Sequence, residues 1–288
     1  MPLEVIYVTR HGFRSTWSVD SSTGIYSAAI PSPTGIPADP ALTAHGVAQA
    51  RQMGSHLMTL HPAIDVVYSS PYYRCLQTIT PFVELKKQQL QKSPPGSDVT
   101  ATTIRPEYGL CEFFGAAPFE HPIPASPEKL KSFFPPFDDT YASALAPSRK
   151  GEGIDDLYRR VAGAMESIID RCDAEGRRAV VLCTHAAVVI ALGRVLTGRI
   201  PESVETEDFN AYTCGLSVFR RRGVHGRVAA GRTSSLSATG SEDMGDWECE
   251  LNSDCSFLSS GEERGWKFSG DESFAGTGSM SQELDAKL

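Results

Sequence analysis

Two short stretches put a histidine where chemistry could take place. Thr9-Arg10-His11-Gly12 follows the apolar run Val5-Ile6-Tyr7-Val8, and Thr184-His185 follows Val180-Val181-Leu182. A third apolar run, Ile64 to Tyr68, ends in Ser69-Ser70, with Arg74 one turn into the next segment. Arg14 lies three residues beyond His11. Singly, each feature is ordinary: a histidine at a strand end usually serves structure, and an arginine in a helix's first turn faces the positive end of the dipole. Together they suit phosphate. Guanidinium groups meet phosphate oxygens in planar, bidentate fashion, and a phosphate monoester carries about −1.5 to −2 charges near neutral pH. A neutral imidazole held among them can attack phosphorus and form a covalent phosphohistidine. A second imidazole can donate to the equatorial oxygens as the transition state forms.

The elements that must hold these residues follow from periodicity. Glu4 to Val8 is too short and too apolar for an amphipathic helix and reads as a strand. Residues 18–40, rich in Ser, Gly and Pro, read as a loop. Thr43 suits the N-cap of a helix whose apolar positions include Val47, Ala50, Met53 or Gly54, Leu57 and Leu60. A strand ending at Ser69-Ser70 leads to a helix opening on Pro71 and stopped by the Pro-Pro-Gly stretch near residue 95. A third strand follows near Ile104, then an insertion over 118–147 crowded with Pro and Phe that resembles a lid. Its Phe119, Phe133, Phe134, Phe137 and Tyr141 suit either an aromatic ester or the lid's own core. A helix from about Gly153, a strand ending at His185, a helix closed by Gly198 and a strand over residues 215–221 complete the series. Strands alternating with long helices predict an α/β fold, a mostly parallel sheet with helices on both faces. Ligands in such sheets bind beyond the carboxyl ends of the strands, which is where the histidines and arginines fall.

Composition narrows the classes. The net charge of −8 is concentrated in the tail: residues 1–240 hold 24 Lys+Arg and 23 Asp+Glu, residues 241–288 hold 3 and 12. A near-neutral main body argues against direct nucleic-acid binding. No apolar run is long enough for a membrane helix, and no basic-then-apolar leader opens the chain, so an intracellular protein, cytoplasmic or nuclear, is expected. The 7 cysteines form no CxxC pair, which fits a reducing compartment and gives no zinc spacing. His45, His56, His61, His121 and His225 lack metal-ligand spacing as well. With no glycine-rich nucleotide loop either, neither a metal nor a cofactor is expected.

The Thr-Arg-His-Gly, Ser-Ser-Pro-Tyr-Tyr-Arg and Cys-Thr-His-Ala-Ala motifs resemble those of the histidine phosphatase superfamily, the family of cofactor-dependent phosphoglycerate mutases; the resemblance covers about residues 3–222. It implies that His11 is the nucleophile and that Arg10, Arg74 and His185 form the phosphate pocket, with Arg14 a weaker carry-over because that position varies between branches. Expelling an alkoxide needs a general acid. The stretch Gly109-Leu110-Cys111-Glu112 is similar to one in the branch containing the suppressors of T-cell receptor signalling, which implies Glu112 as the acid; Glu107 is the nearest competitor. The mutase continuation is missing after Gly12, where Phe13-Arg14-Ser15-Thr16-Trp17 stands, and His185 is followed by Ala186-Ala187 rather than the Asp of the acid phosphatases. A branch 1 phosphatase acting on a small phosphorylated molecule or a phosphoprotein is expected.

Beyond this domain (1–222), a basic and Ser-rich linker (223–245) leads to an acidic segment (246–288) with more apolar residues than a solvated tail needs: Trp247, Leu251, Phe257, Leu258, Trp266 and Phe268. Residues 265–270 alternate like a short strand, so a small C-terminal β element is expected. Residues 252–270 resemble a small module of a TFIIIC subunit, the RNA polymerase III initiation factor, which in fungi follows a histidine phosphatase domain. That resemblance implies TFIIIC subunits as partners through residues 246–270. On this reading the segment is a docking element outside the chemistry, and deletion from Ser241 onward is expected to leave turnover nearly unchanged, provided the domain remains folded.

Overall fold

The computed structural model describes residues 2–94, 96, 98–222 and 245–268. Strand β1 (Val5–Arg10) is buried at every position. Its alternating side chains divide between two cores, with Ile6 and Val8 on one face and Val5 and Tyr7 on the other. In chain order there follow β2 (Trp17–Asp20), β3 (Ile25–Ala28), α1 (Ala44–Leu57), β4 (Val66–Ser69), α2 (Tyr73–Leu90), β5 (Ile104–Pro106), α3 (Pro127–Phe133), α4 (Ile154–Ala174), β6 (Ala179–Thr184), α5 (Ala186–Thr197), β7 (Leu216–Arg221) and β8 (Trp247–Asp254). The main sheet has the order β5-β4-β6-β1-β7-β8. Its first four strands are parallel, and β7 and β8 are antiparallel additions.

Helices α1 and α2 cover the Val5/Tyr7 face through Met53, Leu57, Leu76, Ile79 and Phe82. Helices α4 and α5 cover the other through Leu157, Val161, Ile168, Val188 and Leu192. The expected α/β sheet with helices on both faces is therefore present. Strands β6 and β1 are neighbours, yet the chain leaves β1 over one face and β6 over the opposite face. Their carboxyl ends thus open a crevice at a switch in connectivity. The register pairs Arg10 with Thr184, which sets the following residues, His11 and His185, side by side.

Thr43 caps α1 as expected, accepting from the Gly46 amide at 3.1 Å. Gly198 closes α5 in the left-handed region, φ 67. Three expectations need correcting, and one left open is decided in part. The loop over 18–40 contains the β2–β3 hairpin. Helix α2 begins at Tyr73, two residues after Pro71, because its cap comes from a distant carboxylate described below. Of the insertion's aromatic residues, for which the sequence leaves both readings open, Phe134 and Phe137 are core, the Tyr141 hydroxyl donates to Glu107 at 2.7 Å, and Phe133 is exposed. Finally, residues 265–268 form no strand; the C-terminal strand is β8, made of residues 247–254.

β8 covers the β7 edge, and Trp247 lies fully buried between the sheet and α5. Deleting the chain from Ser241 would remove a sheet strand and a core indole, so the condition that the truncated domain stays folded is a demanding one in this fold. The linker over 223–244, including His225, and residues 269–288 lie outside the described residues.

Trp247→Ala should lower the stability of the full chain by about 3–5 kcal/mol, the cost of emptying a large aromatic site. Urea unfolding measures it. A loss below about 1 kcal/mol would show that β8 is not part of the cooperative core.

Candidate active site

The site grows from the carboxyl ends of β1, β4 and β6. His11, 2% exposed, follows β1, and its amide donates to the Thr184 carbonyl at 2.9 Å. The loop after it presses on the start of α1. A Cβ on Gly12 would stand 2.9 Å from the Gly46 carbonyl oxygen, and one on Gly46 would overlap the Phe13 carbonyl, so both positions require glycine. The Gly12 amide donates to Thr78 Oγ1 of α2 at 3.0 Å. His11 Nδ1 lies 2.9 Å from the Gly12 carbonyl oxygen. A carbonyl only accepts, so this contact assigns the proton to Nδ1 and leaves the Nε2 lone pair for attack. Burial pushes the His11 pKa well below the usual value, and the charges of Arg74, Arg10, His185 and Arg14 push the same way. The ring is neutral near pH 7.

Arg74 is the hub. Its guanidinium is fully buried in the first turn of α2, a position the helix dipole disfavours for a cation. Asp39 answers both charges. It pairs with Arg74 Nη1 at 3.1 Å and caps the helix by accepting from the Tyr73 amide at 2.8 Å. Burial raises the Asp39 pKa to about 6 against the pull of Arg74, so the pair is ionic at neutral pH. Arg74 Nη2 lies 3.0 Å from Glu112 Oε2 and 3.1 Å from His185 Nδ1, which are themselves 3.1 Å apart. His185 Nε2 meets Ser70 Oγ at 2.8 Å, and the ring lies edge-on to His11 with centroids 5.4 Å apart. Burial opposes a charge on His185, but the Cys75 sulfur and the Glu112 carboxylate outweigh it and raise the pKa. Burial likewise opposes charge on Glu112, and there His185, Arg74 and His11 win, holding its pKa well below the ordinary value.

The loop carrying Glu112 is tied from two sides. Arg160, paired with Glu152 at a buried site, donates to the carbonyls of Gly109 at 2.7 Å and Cys111 at 3.0 Å. Thr184 Oγ1 donates to the Leu110 carbonyl at 2.7 Å. Glu107 is engaged elsewhere, accepting from Tyr141, Ser143 and the Gly109 amide. The Glu112 side chain keeps 16% exposure, whereas that of Arg74 has none.

His11, Glu112 and His185 bring potential ligand atoms within 4.8 Å of one another, a spacing a metal could use. The Arg74 guanidinium already bonds two of these three groups, Glu112 and His185, so the local charge favours an anion. Arg74 Nε is buried with no hydrogen-bond partner among the described residues, as expected of a donor held for a ligand. Arg10 Nη1 donates to the Ala211 carbonyl at 2.8 Å and to the Arg264 carbonyl. Arg14 stands at the edge, its guanidinium 5.6 Å from the Trp17 ring centroid, beside a wall formed by Trp17, Tyr26, Phe114 and Tyr72.

The structure brings His11, Arg74, Glu112 and His185 into one contact network and sets Arg10 and Arg14 near enough to depress the His11 pKa. Sequence reasoning missed Asp39, Arg160, Glu152 and Arg264. Asp39 sits in a stretch with no periodicity, and Arg160 reads as one more basic residue on a charged helix face. The remaining described histidines that bond through their rings serve structure: His45 pairs with Glu263, His56 stacks on Phe257, and His121 lies between Tyr26 and the Gly115 carbonyl.

The family model described as histidine phosphatase superfamily (branch 1) matches residues 6–95 and 97–232. The transcription factor tau 55 kDa subunit of Saccharomyces cerevisiae is 30% identical over 281 residues, which cover 93% of this chain and 59% of that protein. The ecdysteroid-phosphate phosphatase of Drosophila melanogaster is 30% identical over 178 residues, 60% of this chain and 22% of that protein. The chain thus spans about three fifths of the first relative and matches about a fifth of the second. Among solved structures, the ecdysone phosphate phosphatase of Bombix mori in complex with tungstate superposes with a TM-score of 0.54 at 20% identity, covering 80% of this chain and 98% of that one; it shares the fold. Among the described residues no helix is long and apolar enough to cross a membrane.

The charges around His11 set a pH signature. The His11 ring should remain neutral at pH 6, where an ordinary histidine is mostly protonated, and should take its proton only well below pH 6.5. An NMR titration of ring nitrogens, with His11→Asn used for assignment, reads this. A His11 midpoint at or above about 6.5 would overturn the electrostatic picture.

Proposed function

The chain belongs to branch 1 of the histidine phosphatase superfamily, and we propose that it hydrolyses phosphomonoesters through a phosphohistidine on His11. One observation carries the proposal: a neutral imidazole with its tautomer fixed by Gly12 lies beside a buried arginine that has a donor to spare. Arg10, Arg74 and His185, joined by Arg14 at the edge, take the phosphate oxygens. His11 Nε2 then forms a bond to phosphorus as the ester P–O bond breaks, and the departing oxygen takes a proton from Glu112. In the second step the Glu112 carboxylate accepts a proton from water. The resulting hydroxide attacks phosphorus, the N–P bond breaks, and phosphate leaves with His11 restored.

Glu112 is ionised in the empty site, so the acid role needs a change on binding. The incoming phosphate supplies it. Its negative charge competes for His185 and Arg74, two of the groups that hold the Glu112 pKa down, and its proximity raises that pKa. The substrate therefore prepares its own proton donor, drawing on the proton of a monoanion or of solvent.

A second reading is assembly. The similarity to the tau 55 kDa subunit covers 93% of the chain, more than a catalytic domain ending near residue 222 would allow. That extent supports a TFIIIC subunit or a relative, hence a nuclear protein, in which the phosphatase domain is one part. Tagged full-length chain should then recover subunits of an RNA polymerase III initiation factor from nuclear extract. Recovery equal to an unrelated branch 1 phosphatase would remove this reading.

The catalytic proposal is tested by a screen of phosphate esters combined with rapid quench. Wild-type protein should carry acid-labile phosphate on His11 and His11→Ala none; label at the wild-type level in the variant would reject the nucleophile. Glu112→Gln should slow alkyl phosphates by about 10²–10⁴-fold and nitrophenyl phosphate far less, since that leaving group needs little protonation. Equal losses for both esters would reject the acid role.

A further inference from the structure

Residues 255–268 return from the end of β8 across the rim of the site. Cys255, Phe257 and Leu258 pack into the core beneath α1 and α2. The Ser259 amide donates to Gln52 Oε1 at 2.9 Å. Glu263 is fixed at both its ends: its carboxylate accepts from Gln49 Nε2 at 2.7 Å and meets His45 Nε2 at 2.6 Å, while its carbonyl accepts from the Thr213 amide at 3.1 Å. The next residue, Arg264, is held in the left-handed region at φ 50, and its carbonyl accepts from Arg10 Nη1. The Arg264 guanidinium lies 4.2 Å from the centroid of the Phe13 ring, in the loop after His11. Farther on, Trp266 packs against Phe268 at 4.8 Å, and Phe268 meets Phe113 at 6.1 Å. The Phe113 amide donates to Glu112 Oε1 at 3.1 Å.

We propose that residues 259–268 are a strap that positions the catalytic groups, acting on Arg10 and on the Phe113–Glu112 loop; the proposal rests on the phosphatase reading above. A guanidinium with five donors and a long stem recognises phosphate only if its plane is fixed beforehand. Two carbonyls on Nη1, from Ala211 and Arg264, fix it, and only the second belongs to the strap. The anchor is firm at that point because Glu263, one residue before, is bonded through both its side chain and its main chain. At the far end the strap supplies an aromatic wall against the residue whose amide orients the Glu112 carboxylate. One segment therefore touches the phosphate end and the proton-donor end of the reaction without contacting the reacting atoms. The left-handed backbone at Arg264, uncommon for a non-glycine residue, turns its carbonyl toward Arg10.

The test uses the full chain and four variants. Glu263→Ala cuts the carboxylate anchor, Glu263→Gln keeps an acceptor for Gln49, Phe268→Ala removes the wall against Phe113, and Lys267→Ala alters an exposed strap residue paired with Glu207. Binding of inorganic phosphate is measured by calorimetry, and turnover is followed over esters of graded leaving-group pKa, below each variant's melting transition. Glu263→Ala should weaken phosphate and raise KM by about tenfold with a smaller change in kcat, the mark of a contact made in ground and transition states alike. Glu263→Gln should recover most of that loss. Phe268→Ala should lower kcat for poor leaving groups by about tenfold and leave nitrophenyl phosphate nearly unchanged. Lys267→Ala should match wild type. The strap fails if Glu263→Ala and Phe268→Ala behave like Lys267→Ala, or if Glu263→Gln is as impaired as Glu263→Ala. If wild type binds phosphate in the strap-dependent way but turns over no ester, the phosphatase reading falls, and with it the strap's action on Glu112, while its hold on Arg10 stands. If it turns over esters and the strap variants match it, the strap falls alone.

Discussion

The burial of one guanidinium, that of Arg74, governs the arrangement around it. A charge removed from water is costly unless it is paired and its donors are satisfied. Arg74 meets that condition with groups from separate parts of the chain: the Ala38 carbonyl and Asp39 carboxylate before α1, Glu112 after β5, and His185 after β6. Each must be delivered to within hydrogen-bond distance, so the loops that carry them have little freedom. The same requirement fixes the start of α2, whose cap is the carboxylate that neutralises the arginine. The satisfaction is deliberately incomplete on one edge, where Nε has no partner among the described residues.

The charges of the site act twice. Burial does most to keep His11 neutral, and the cations that push the same way, Arg74, Arg10, His185 and Arg14, are those the proposed reaction assigns to the phosphate. Glu112 stands in the opposite relation. The cations that keep it ionised are those the substrate would claim, and its proton affinity rises as they turn to the phosphate. On the proposed reaction, the entering phosphate is itself the event that changes the balance at the carboxylate.

Rigid support comes from the packing beneath. The parallel register of β1 and β6 sets the two histidines side by side, and the buried Arg160–Glu152 pair holds the Glu112 loop from α4. A buried ion pair contributes little net stability compared with apolar packing, so its value here is directional: Nη1 of Arg160 aims at two carbonyls that nothing apolar could satisfy. The C-terminal segment adds β8 to the exposed edge of β7 and buries Trp247. Catalytic domain and tail therefore share one sheet and one core. The similarity to a transcription factor subunit along nearly the whole chain fits that continuity.

Local chemistry alone exposed much of the site. Apolar runs of strand length ending in Arg10-His11, Ser69-Ser70 and Thr184-His185 identify the rim, because alternation and burial are properties of neighbours in sequence. Thr43 and Gly198 mark helix ends for the same reason. Glu112 came from resemblance, since nothing local separates it from Glu107; the structure separates them by giving Glu107 to Tyr141 and Ser143 and Glu112 to Arg74 and His185. Asp39, Arg160 and the Arg264 carbonyl left no trace in the sequence. Their partners lie 35 residues away for Asp39, 49 and 51 for Arg160, and 254 for Arg264. The tail shows the same division. Its aromatic content announced that it must pack, but which residues formed the strand depended on the free edge of β7, which exists only once the sheet is built. Sequence determined the reactive groups and the elements that carry them, because those depend on adjacent residues; tertiary structure decided which charges face one another, because a buried ion must find its partner wherever the chain happens to bring it.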